Sequence, residues 1–93
     1  MEKLNSTFAR RLLITHLVVT IDRPSVPALM RETGWPRRTI QDVIKAIPGL
    51  GIEIHFKQDG HRNNDGYYVI DSWGPVDPHW VSQHVDAVKA ALE

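Results

Sequence analysis

In the segment TGWPRRTIQDVIKAI, residues 33–47, the groups able to recognise another molecule are Arg37, Arg38, Thr39, Gln41, Asp42 and Lys45. Guanidinium and ammonium groups seek phosphate, and an arginine or a glutamine can also grip a base edge through two hydrogen bonds. Ile40, Val43, Ile44 and Ile47 recur among them at i, i+3, i+4 and i+7. That spacing is one face of a helix, so it predicts an apolar stripe with the polar set turned away from it. Two arginines in the first turn sit where the helix dipole favours negative charge. An external anion such as a phosphate would supply what this helix end lacks.

A second polar group lies in KQDGHRNNDG, residues 57–66, where Lys57, His61, Arg62, Asn63 and Asn64 can donate to phosphates or enter a minor groove. Asp59 and Asp65 dilute the charge there. His55, Asp59, His61 and Asp65 are metal-ligand types, but their spacing matches no metal site, and neither a metal nor a cofactor is expected. A phosphate-binding glycine loop, a nucleophile elbow and a His-Glu-x-x-His pattern are all missing, so the sequence points away from an enzyme.

The elements that must hold these residues are readable in order. Asn5 or Ser6 caps a helix through FARRLLITHLVVTI, which Asp22-Arg23-Pro24 ends. Its apolar residues cover more than one face, which predicts burial on two sides, by its own domain and by a partner chain. Ser25 and Pro27 open a short helix, ALMRET, and Gly34 stands where a left-handed cap belongs. Trp35, in the turn, is expected to pin the third helix against the second, and Pro36 starts that helix, which Pro48-Gly49 stops. Residues 52–56 alternate and residues 67–70 are strand formers, so the two predict an antiparallel hairpin. Asp77-Pro78 opens a last helix over about 78–93 with Trp80, Val81, His84, Val85, Val88 and Leu92 along one side.

Two helices joined by a glycine turn, the second with a polar outer face, and then a hairpin with a polar tip, make the layout of a winged helix-turn-helix. The expected fold is therefore α+β: a three-helix core plus a two-stranded β-hairpin wing with an additional C-terminal helix, as one domain over residues 1–93. In Leu29-Met30, Thr33-Gly34-Trp35, Arg37-Arg38-Thr39-Ile40 and Ile44-Lys45-Ala46-Ile47 the chain resembles the N-terminal DNA-binding domains of DeoR-like and WYL-type bacterial regulators. It departs from their pattern at Thr33 and Asp42, and at Pro36, where a capping serine is usual. Its size and the GYYVIDSWGP segment look more like small stand-alone bacterial winged-helix proteins. The resemblance implies a DNA-binding fold and so duplex DNA as partner; from the helix face, Arg38 and Gln41 are placed to read bases, Asp42 to accept from cytosine or to pair with Arg38, and Arg37, on the flank, to meet phosphate.

Composition narrows the setting. The chain has 93 residues, 42% of them hydrophobic, which suffices for one core but not for an additional sensing domain. It has no cysteine, no apolar run long enough for a membrane span and a polar start, so a cytoplasmic protein without membrane contact is expected. Net charge is zero but unevenly placed, +4 over residues 1–62 and −4 over residues 63–93. This places the phosphate-facing surface in the first part and lets the acidic part stand away from DNA. The stripe from Trp80 to Leu92 is expected to pair two copies into a homodimer. The expected activity is sequence-specific DNA binding by a small transcriptional regulator, with any effector left open; the alternative is a winged-helix module that binds protein instead.

Overall fold

The computed structural model describes residues 3–62 and 65–93, and its architecture rests on how α1 (Ser6–Thr20) is shared. Asn5 caps this helix by accepting a hydrogen bond from the Phe8 N–H at 3.0 Å. One side of α1 gives Ile14 and Val18 to a cluster with Leu29, Ile40, Val43, Ile44, Ile47 and Ile52. The other side gives Ala9, Leu12 and Leu13 to a second cluster with Val81, Val88 and Ala91. Leu17, Trp35, Trp73 and Val76 pack against both clusters. The two-sided burial expected from the sequence is present, and the chain's own C-terminal segment provides the second side.

Helix α2 (Val26–Thr33) begins at the Ser25 cap, whose hydroxyl accepts from the Ala28 N–H, with Pro27 in the first turn. It ends at Gly34, which has φ 75° and takes the left-handed conformation at no steric cost. The Thr33 hydroxyl donates to the Leu29 carbonyl at 2.7 Å and accepts from the Trp35 N–H at 3.1 Å. A leucine at position 33 could not make that relay, so the departure from the regulator pattern has a local role. Helix α3 (Arg37–Ala46) comes next, and a single 3-10 turn (Ile47–Leu50) carries the chain off it. Trp35 is half-buried and bridges both clusters, rather than simply pinning α3 to α2.

Strands β1 (Glu53–Gln58) and β2 (Gly66–Ser72) pair antiparallel and are longer than the sequence predicted, with a register shift between Glu53 and Ile54. The inner face carries Ile54, Ile70, Phe56 and Tyr68, the two rings meeting edge to face at 5.1 Å. On its other edge β2 is tied to the connection between α1 and α2, through the Tyr68 N–H and the Pro24 carbonyl at 2.8 Å. Past the hairpin, Gly74 has φ 56° and lies so close to the Gly51 carbonyl that any Cβ there would collide with it.

The predicted C-terminal helix is two helices, α4 (Pro78–Gln83) and α5 (Val85–Ala90). His84 breaks it, with φ −120° and ψ 25°; its ring stacks on Trp80 at 4.2 Å and its Nδ1 lies 2.7 Å from the Trp80 carbonyl. Past the end of α5, Ala91 is buried, while Leu92, which the straight stripe included, is partly exposed. Val81 and Val88, each 1% exposed, are used within the chain and present no surface to a second copy. Trp80, His84, Val85 and Leu92 keep partial exposure.

This packing has two measurable outcomes. Leu12→Ala, at a site 1% exposed between α1 and the C-terminal helices, should lower unfolding free energy in urea by about 2–5 kcal/mol. A loss below about 1 kcal/mol would mean that this layer is not core. His16 has its pKa lowered from the ordinary 6.5, first by burial and then by the positive charge of Lys89. The unfolded chain therefore binds that proton more tightly, and the stability held above pH 6.5 declines as pH falls from there through the lower folded value. His16→Gln should show a smaller fall in melting temperature than the parent protein between about pH 7.5 and about pH 5; an identical fall would remove His16 as the cause.

Candidate nucleic-acid interface

The hydrophobic stripe of α3 fixes which residues face outward. Ile40 and Ile47 are fully buried and Val43 and Ile44 nearly so, and at about 100° per residue Arg38, Asp42 and Lys45 then point away from the core. Arg37 and Gln41 lie on one flank and Thr39 on the other. Arg37, Arg38, Gln41, Asp42 and Lys45 are all exposed, and Thr39 is half-buried.

Pro36 occupies the N-cap position of α3, where it offers no side-chain acceptor to the first-turn N–H groups. The first turn also lacks an acidic residue. Donors without a capping oxygen, with Arg37 and Arg38 beside them, form an anion-attracting end rather than a self-neutralised one. Arg38 is partly engaged by Asp42, its Nε standing 3.9 Å from the carboxylate one turn on. With the Arg38 side chain 92% exposed and Asp42 64% exposed, that pair is loose and readily exchanged for another partner.

Arg37 and Gln41 share a groove of about 320 Å³ with Ser25, Val26 and Pro27 at the start of α2 and with Phe56 and Tyr68 of the hairpin. The flank of α3, the N-terminus of α2 and the wing thus border one open space. This juxtaposition is not readable from the helix pattern, which sets Arg37 beside the outward face without showing what it looks toward.

In the hairpin, Lys57 pairs with Tyr67 across the strands, and its ammonium lies 5.9 Å from the Tyr67 ring centre. Lys57, His61 and Arg62 are exposed; Asn63 and Asn64, also expected to touch DNA, lie outside the described residues. Both acids of the tip are internally engaged. The Asp65 carboxylate accepts from the Arg62 N–H at 3.3 Å, while the Asp59 N–H donates to the Asp65 carbonyl at 3.0 Å. Asp59 takes a two-pronged ion pair from Arg23, at 2.5 and 2.9 Å. The hydrogen bond from Arg23 holds the Asp59 carboxyl below its usual range and, with the carboxylate's charge, raises the guanidinium pKa.

Arg23 is the functional candidate that the sequence does not reveal, because Asp22-Arg23-Pro24 reads only as a helix stop. A non-glycine residue at a turn gives no pairing signal across 36 positions, and only the fold brings it to the wing. The other histidine and carboxylate types are dispersed: His55 Nδ1 meets Asp71 at 2.6 Å, on the outer side of the hairpin. Among the described residues no three His, Asp or Glu side chains gather as a metal site, and no helix is long and apolar enough to cross a membrane.

Comparison with known proteins agrees with this geometry. The winged helix-turn-helix family matches residues 3–92. The structure is similar to the crystal structure of a DUF2131 family protein from Shewanella amazonensis SB2B, with TM-score 0.86, 43% sequence identity, and coverage of 99% of this chain and 94% of that one. Among curated proteins nothing matches. The likeness to DeoR-like and WYL-type regulators stays a local resemblance within α2 and α3. With α2, a left-handed glycine turn, an outward-facing α3 and a paired hairpin set on α1, the chain belongs to the winged helix-turn-helix family.

Proposed function

We propose that this chain, as one domain over residues 1–93, is a small cytoplasmic transcriptional regulator that binds duplex DNA in a sequence-dependent manner. The observation that carries the reading is the first turn of α3: an uncapped helix end with Arg37 and Arg38 exposed, bordering the same groove as the N-terminus of α2 and the wing. A helix of this size enters the major groove, where its N-terminal residues meet base edges and the adjoining backbone. Arg38 and Gln41 read bases, with Asp42 beside Arg38 on the outward face and Thr39 at its edge. Arg37 and Lys45 hold phosphates. Lys57, His61, Arg62, Asn63 and Asn64 contact backbone or minor groove from the wing.

A homodimer belongs to the same reading. The partly exposed residues Trp80, His84, Val85 and Leu92 remain available once Val81 and Val88 are committed to α1. Beside them, Leu4, Phe8, Pro75, Val76 and Trp80 line an open groove of about 340 Å³. Two copies joined there would present paired recognition helices to half-sites about 34 Å apart.

Fluorescence anisotropy against selected and random duplexes at two salt concentrations tests the DNA reading. The parent protein should prefer the selected duplex, and Arg37→Ala/Arg38→Ala should weaken that binding by at least about tenfold and flatten the salt dependence by about one to two phosphate contacts. Binding that is absent, or indifferent to the two arginines, would favour a protein-binding winged-helix module. For the dimer, sedimentation equilibrium at micromolar concentration should give the mass of two chains, with Val85→Asp releasing monomer. A monomeric parent at that concentration would sink the dimer.

A further inference from the structure

A two-pronged polar contact across 36 positions joins the wing to the turn between α1 and α2. Arg23 grips Asp59 through both guanidinium nitrogens, at 2.5 and 2.9 Å, and the same guanidinium stands over the Tyr67 ring at 5.1 Å. Arg23 does so from a left-handed backbone conformation, φ 47°, which is uncommon for a residue with a side chain. Next to it, the Pro24 carbonyl accepts from the Tyr68 N–H at 2.8 Å. One short turn therefore holds the hairpin at three places: the Tyr68 backbone near the start of β2, the Tyr67 ring, and Asp59 just past the end of β1.

We propose that the Arg23–Asp59 pair is a positioning device, setting the stance of the wing relative to α3 so that Lys57 and Arg62 reach DNA while α3 is in the groove. The inference rests on the DNA-binding reading above and adds a role for an acidic residue in binding a polyanion. The inner face and the Tyr68–Pro24 hydrogen bond hold the body of the hairpin, and the pair is what ties down the tip end of β1, where a pivot would carry Lys57 and Arg62 away from the backbone they must meet. The pair removes that freedom before binding, so its ordering cost is not charged against the complex. Arg23 and Asp59 need not touch DNA to act. As a partly exposed surface pair they contribute little to global stability, which separates their effect on binding from an effect on folding.

Simple electrostatics and positioning predict opposite signs for Asp59→Ala. Removing a negative charge near the duplex tightens binding if Asp59 is merely tolerated. Under the proposal, Asp59→Ala weakens binding to the selected duplex about three- to fivefold, the scale of a well-formed surface ion pair, with the salt dependence unchanged because no phosphate contact is removed. Hydrogen exchange of the free protein gives the second readout: the Tyr68 amide should exchange faster in Asp59→Ala, while amides in α3 stay as in the parent. The exchanged pair Arg23→Asp/Asp59→Arg, which keeps the net charge, should return both readouts toward the parent values.

Tighter or unchanged binding by Asp59→Ala, unaltered Tyr68 exchange, or an exchanged pair no better than Asp59→Ala would each overturn the proposal. Failure of the parent protein to bind any duplex would bring down the DNA reading itself, and the role in binding with it. In that case the exchange data would still report whether the pair holds the wing.

Discussion

Leu17 touches both hydrophobic clusters because α1 is the wall between them. The elements that orient the outward face of α3 are packed on one side of that wall, with Trp35 reaching both. Ile14 and Val18 meet Ile40, Val43 and Ile44, which fixes the rotation of α3 about its own axis and so decides that Arg38 and Lys45 face outward. The opposite side would be an apolar surface in water were it not covered by Val81, Val88 and Ala91. The C-terminal helices therefore matter to the outward face of α3 although they lie on the far side of α1. They allow α1 to be apolar on both sides, and an apolar α1 is what the core beneath α3 is built upon.

How far the sequence reveals this depends on whether a signal is local or long-range. The α3 stripe, the Ser25 cap and the left-handed Gly34 are set by nearest neighbours along the chain, and they are readable as such. The hairpin is readable in kind but short at its ends, since Lys57, Gln58, Gly66 and Ser72 gain their strand geometry from pairing across the ladder, not from propensity. The helix break at His84 is hidden. A continuous stripe from Trp80 to Leu92 fits an unbroken helix, and the competing arrangement, an imidazole stacked on the Trp80 indole with its Nδ1 at the Trp80 carbonyl, has no periodicity to betray it. Arg23 and Asp59 are hidden for the same reason, being far apart in sequence and each ordinary for a turn.

Charge placement adds a second layer. Along the chain, the acidic excess after residue 62 looks like a simple segregation of unlike halves, and the wing looks weak because Asp59 and Asp65 lie among its cations. In three dimensions these two carboxylates are engaged by Arg23 and by a backbone N–H of the tip, while Lys57, His61 and Arg62 remain exposed. Counting charges along the wing alone leaves out Arg23, which the fold brings to Asp59 and which adds a positive charge beside the tip. What a polyanion meets is set by which charges the fold has already paired.

The break at His84 also bears on cooperativity. Helices α4 and α5 have six residues each, well short of the length at which a helix persists alone in water. Neither can exist as a freely tumbling appendage: each is helical only while docked on α1. Opening this layer would strip Ala9, Leu12 and Leu13 of their cover in one step. The protein is thus built to melt as one unit, although it contains two separate clusters of buried side chains, because the wall they share cannot lose one side and keep the other.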